Sequence, residues 1–208
     1  MLEVLIVIAI ILVVSAAAII NILGSLKVAA SDTAAQLVQQ DMRLARQAAI
    51  SNRLVYRLSF YAPSGIVLDQ LVTDTVMVSG APSITTTVNN ISNDSVPSTV
   101  SFQILSGTPV DLDGFCSCLP SPGICSCTPQ PSGTPLVPTV AIDFNGSNQI
   151  FFQPDGAGRD ANGKICNGVV YSAISGQLLS SRVVTVWGST GQIKLYKLFA
   201  SAGGYYWK

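Results

Sequence analysis

Residues 1 to 23 read MLEVLIVIAIILVVSAAAIINIL, and only Glu3, Ser15 and Asn21 interrupt the apolar run. About 20 apolar residues at a helical rise of ~1.5 Å match a hydrocarbon core of ~30 Å, so the run is long enough to span a membrane. A cleavable export signal would carry a basic segment ahead of a short apolar stretch. Here the first basic residue is Lys27, and the helical pattern continues beyond it. The run is therefore expected to be retained, with residues 1–24 serving as a membrane anchor.

From Ser25 to about Asn52 the pattern becomes amphipathic. Leu26, Ala30, Ala34, Leu37, Leu44 and Ala48 recur at helical steps, and Val38, Met42 and Ala45 widen the stripe. Lys27, Asp32, Gln36, Gln39, Arg43 and Arg46 fill the other face, and no proline occurs before Pro63. The expectation is one helix from residue 1 to about residue 52, roughly 75 Å long, with 25–52 as its amphipathic half. Gly24 is its weak point, since glycine in a helix costs ~1 kcal/mol relative to alanine.

The period then changes. Leu54, Tyr56, Leu58 and Phe60 alternate with Val55, Arg57, Ser59 and Tyr61, which predicts a strand. Ser64-Gly65 turns, and one or two strands follow over 66–78. Residues 79–106, rich in Ser, Thr, Asn and Pro, read as exposed loops and edge strands. Residues 107–138 form a Pro/Gly/Cys-rich loop without a period. Strands return at 140–144, 149–153, 169–174, 182–187 and 192–199, the last two joined through Gly188-Ser189-Thr190-Gly191. The fold class is α+β: a long N-terminal helix packed on a mostly antiparallel β-sheet head over 53–208.

Composition narrows function. Of 208 residues only 11% are charged, the formal net charge is zero and histidine is absent. Low charge speaks against a general grip on nucleic acid and for a surface that tolerates self-association. Without histidine the commonest general base and metal ligand are missing. No acid, base and nucleophile form a catalytic constellation, so no enzyme, cofactor or metal is expected. Asp155 to Gly163 carries oxygen side chains but lacks the terminal bidentate acid of a calcium loop, and it reads as a turn.

Cys116-Ser117-Cys118 and Cys125-Ser126-Cys127 flank a Pro-Gly turn, and Cys166 stands apart. Zinc sites favour CxxC spacing, whereas disulfides suit an oxidising compartment. Nested or crossed bridges within the pair of CxC motifs are both open, and would stabilise the loop by roughly 2–4 kcal/mol each. The fifth cysteine, Cys166, keeps its thiol, takes a partner from the cluster or bonds another subunit.

Glu3 is the chain's one glutamate, set inside the apolar run. A carboxylate deep in hydrocarbon costs ~3 kcal/mol or more unless paired. With its glutamate and unbroken apolar helix, MLEVLIVIAIILVVSAAAI resembles the N-terminal segment of mature type IV pilins and type II secretion pseudopilins. The family usually has two more residues ahead of the glutamate. Leu44 to Ile50, Ile150 to Gly156, and Val183 to Val186 with Thr190 to Leu195 are similar to the GspH/FimT subgroup. The resemblance covers about the first and last 60 residues.

It implies that Glu3 pairs with the terminal amine of a neighbouring subunit, the position of Met1 here. It also implies a homo-oligomeric helical filament, with prepilin peptidase and a pilus assembly machinery as partners. Small residues Ala16, Ala17, Ala18 and Gly24 would allow close helix approach. The expected location is the bacterial inner membrane before assembly and an extracellular filament afterwards. The alternatives are a minor pseudopilin in a periplasmic filament, or a minor pilin that binds DNA; the scarcity of clustered Lys and Arg makes nucleic acid an unfavoured partner.

Overall fold

The computed structural model describes residues 2–78, 81–109, 112 and 140–208, with backbone alone for 2, 3, 5, 16–25, 74–78 and 81–85. Helix α1 runs Leu2–Asn52. Arg53, in the left-handed region at φ 54°, ends it. The strands are β1 Val55–Tyr61, β2 Gly65–Val78, β3 Ala81–Ser95, β4 Ile142–Asp143, β5 Gln149–Phe152, β6 Gly158–Arg159, β7 Gly168–Ile174, β8 Gln177–Trp187, β9 Gln192–Ser201 and β10 Gly204–Trp207. They form two antiparallel five-stranded sheets, ordered β3-β2-β1-β5-β6 and β10-β9-β8-β7-β4.

This corrects the expected fold class. The molecule is mostly β, with two sheets instead of one, and no long helix lies packed along a single sheet. Among the described side chains, only those of the second half of α1 pack. Its buried positions, Ser31, Ala34, Ala35, Val38, Asp41, Met42, Ala45 and Ala49, follow one helical face. Strand pairing explains the division into two sheets. Strand β1 takes β5 as its second neighbour, with Leu58 opposite Ile150, while β7, β8 and β9 pair in sequence order.

The core-facing side of α1 is also rotated from the stripe expected from sequence. Val38 and Met42 are essentially fully buried, whereas Leu26 and Leu44 are exposed. Alanines dominate the buried face, and their small side chains let the helix backbone approach the sheets closely.

The main core draws Leu58, Phe60, Ile150 and Phe152 from the first sheet, Val170, Val184 and Val186 from the second, and Val38, Met42 and Ala45 from α1. Phe144 stacks on Phe60 at 5.6 Å, and Phe102 meets the same ring edge-on at 5.8 Å. Gly168 is needed beside them, because a Cβ there would run into the Phe144 ring. The opposite face of the second sheet buries Val169, Tyr171 and Val183 with Leu112, Leu198 and Trp207. Strand β7 is therefore buried on both sides.

A membrane anchor over residues 1–24, and with it the inner-membrane location, is likewise corrected. Among the described residues no helix is long and apolar enough to cross a membrane.

Candidate assembly interface

The N-terminal stretch of α1 presents apolar side chains to solvent on every side. Val4, Ile6, Val7, Ile8, Ile10, Ile11, Leu12, Val13 and Val14 are between 48% and 71% exposed. None belongs to either hydrophobic core, which α1 joins only from Ala30 onward. A helix that is apolar all round is stable when something covers it. The exposed apolar character continues along the packed half through Leu26, Val28, Leu44 and Ile50, which lie on its flanks and outer face.

The packed half is fixed to the head by polar contacts as well as by its alanines. Asp32 accepts hydrogen bonds from Arg182 Nε on β8 at 2.7 Å and from Lys197 Nζ on β9 at 3.0 Å. Arg182 is 3% exposed and also donates to the carbonyls of Leu179 and Ser181. Burial works to raise the Asp32 pKa, but the hydrogen bonds and charges of Arg182 and Lys197 outweigh it and hold the carboxyl below its ordinary value of 3.8.

Nearly two turns before the helix ends, Arg46 donates to the carbonyls of Gly156 and Thr190 at 3.2 and 3.0 Å. Tyr56 Oη accepts from Asn52 at 2.6 Å and Gln70 at 3.1 Å, joining the end of α1 to β1 and β2. These contacts set the angle at which α1 leaves the head. Sequence reading placed Asp32 and Arg46 on the solvent face. A charged residue on a helix gives no sign by itself of a partner 150 positions away.

Of the residues singled out in the sequence, Met1 lies outside the described residues. The side chains of Glu3, Ala16, Ala17, Ala18 and Gly24 do so too, although their backbone is part of α1. Cys116, Cys118, Cys125 and Cys127 also lie outside them. Cys166 is 1% exposed in the main core, and its Sγ lies 3.1 Å from the Asn167 carbonyl.

The Asp155 to Gly163 segment is held by its own backbone. Asp160 Oδ1 accepts from the amides of Asn162 and Lys164, both at 2.9 Å, and Oδ2 from Asn145 at 2.6 Å. Asp155 accepts from the Ala157 amide at 2.8 Å. These carboxylates organise a turn, and among the described residues no group of three His, Cys, Asp or Glu could hold a metal.

Set beside protein-family models, curated proteins and solved structures, the chain matches none of them.

Proposed function

We propose that the chain is the structural subunit of a type IV pilus-like filament, in which copies polymerise by bundling the N-terminal part of α1. The observation that carries this reading is the all-round exposure of Val4 to Val14 on a helix whose other half is locked into the head. Exposed apolar surface of this extent marks an interaction site. Because the stretch makes no contribution to the head's core, its composition serves assembly and not the stability of the head. Bundling with other copies removes the apolar surface from water, at ~25 cal/mol per Å². Glu3, in the first turn, then neutralises the terminal amine of a neighbour within the bundle.

Electron microscopy of the purified full chain is the direct test. Filaments are expected from the native sequence. They should be lost in Ile10→Asp/Val13→Asp and reduced in Glu3→Ala, with the circular dichroism of the head unchanged. Filaments of normal yield from the Ile10→Asp/Val13→Asp variant would overturn the reading.

A further inference from the structure

Strands β2 and β3 are the longest among the described residues, at 14 and 15 residues. Strand β1 accompanies β2 only from Tyr61 opposite Gly65 to Val55 opposite Leu71. Beyond that point β2 pairs with β3 alone, from Val72 opposite Thr87 to Val78 opposite Ala81. These seven pairs make a two-stranded arm about 23 Å long at ~3.3 Å per residue. Thr86 and Thr87, which point to opposite faces of β3, are both exposed, as are Val88 to Ile91 beside them, so β3 is in solvent on both sides where the arm starts. A two-stranded ribbon standing alone in water is marginally stable and gains from a third strand.

The other sheet edges are protected in the usual way, by being short. Strands β4 and β6 have 2 residues each and β10 has 4. Strand β3 is long, and its ladder with β2 is broken near its base by a bulge, where Leu68 pairs with Ser92 and Asp69 with Asn90 and Ile91 is the extra residue. The strand has no Lys, Arg or Glu, its one charge is Asp94 near its base, and Pro82 is its only proline. Its middle reads Ile84-Thr85-Thr86-Thr87-Val88-Asn89-Asn90-Ile91, rich in the β-branched residues that favour strands. Val88 and Ile91 are 48% and 51% exposed.

We infer that the outer edge of β3 pairs with β3 of a second copy, antiparallel about a two-fold axis at Val88. The sequence fits this occupant. With Val88 opposite Val88, Thr87 falls opposite Asn89 and Thr86 opposite Asn90, so a regular ladder covers 86–90 of each copy, up to the bulge at Ile91. Asp94 lies beyond the bulge, outside that ladder. With no charge from Ala81 to Asn93, no like charges oppose one another across the new ladder. The product is a ten-stranded sheet running through both copies, twice the five strands of each. It uses a surface separate from the apolar end of α1 and does not depend on helix bundling.

The test uses the full chain carrying Ile10→Asp/Val13→Asp, so that helix-driven assembly is disabled and its failure is read separately. A benzoylphenylalanine photocrosslinker at Asn89 is expected to give a covalent dimer, with the crosslink inside residues 81–95 of the other copy. Val88→Lys sets two ammonium groups opposite each other and should lower the dimer yield at least tenfold, as should Val88→Glu. Mixing the Val88→Lys and Val88→Glu chains should restore it. A chain that stays monomeric under illumination overturns the inference, as do crosslinks outside 81–95 or a yield unaffected by Val88→Lys.

Discussion

Arg182 Nε lies 2.7 Å from Asp32 Oδ1, joining β8 to α1 across 150 residues of sequence. Arg182 is buried, and among the described residues Asp32 is the carboxylate that its guanidinium meets. Removing Asp32 leaves an uncompensated cation at the seam between helix and sheet. Asp32→Ala is expected to cost about 2–3 kcal/mol in urea unfolding, and Asp32→Ala/Arg182→Met to recover most of it. Lys197→Met should cost less than about 1 kcal/mol, because Lys197 is 41% exposed and water screens its charge. Equal losses from Asp32→Ala and Lys197→Met would contradict this ordering.

The C-terminal strand closes the second, smaller core. Trp207 Nε1 donates to the Pro109 carbonyl at 2.8 Å, and its ring leans on Tyr171 at 6.1 Å. Trp207→Ala removes a large buried side chain and is expected to cost about 3–4 kcal/mol. Trp207→Phe keeps most of the packing but leaves the Pro109 carbonyl without that donor, at a cost of about 1–2 kcal/mol. Differential scanning calorimetry separates the two. A Trp207→Ala variant that melts with the native protein would show that β10 is dispensable.

How much of this was legible depended on how local each signal is. The alternation of Tyr56, Leu58 and Phe60 announced β1, and all three are buried. The Gly188 to Gly191 turn announced the β8–β9 hairpin, which Gly191 closes at φ 63° with its amide donating to Trp187 O. The division into two sheets was not legible, because the β1–β5 pairing joins residues far apart in sequence. The face of α1 that packs was misread for a related reason. Leu26 and Leu44 are the larger hydrophobes, but the sheets lie so close that alanines fit where leucines do not. Strand β3 was hidden by its Thr and Asn content, which suits an exposed edge as well as a loop. The apolar N-terminal run was plain in the sequence. Its emptiness of intramolecular contacts among the described side chains needed coordinates.

Asp41 makes the last prediction, since it breaks the rule that buried charges are paired. It is 5% exposed on the packed face of α1, and its Oδ2 has no hydrogen-bond partner among the described residues. Burial, and then the charge of Asp94, pushes its carboxyl up from 3.8 to about 6. The folded chain therefore holds a proton that the unfolded chain has released over this interval. Stability from this group is complete below the unfolded value and is lost as pH rises through about 6. Asp32 runs the other way: its lowered pKa gives stability above the unfolded value that is lost on acidification. The two carboxylates, on one helix, act in opposite directions, so their joint contribution is greatest near the unfolded value of 3.8 and falls on either side of it. Asp41→Asn removes the charge while keeping the shape. It should raise stability at pH 8 by on the order of 2 kcal/mol and flatten the decline between about pH 4 and 6.5, leaving the acid limb set by Asp32 intact. Urea unfolding across that pH range decides the matter: if Asp41→Asn keeps the native slope, the orphaned carboxylate is not its source.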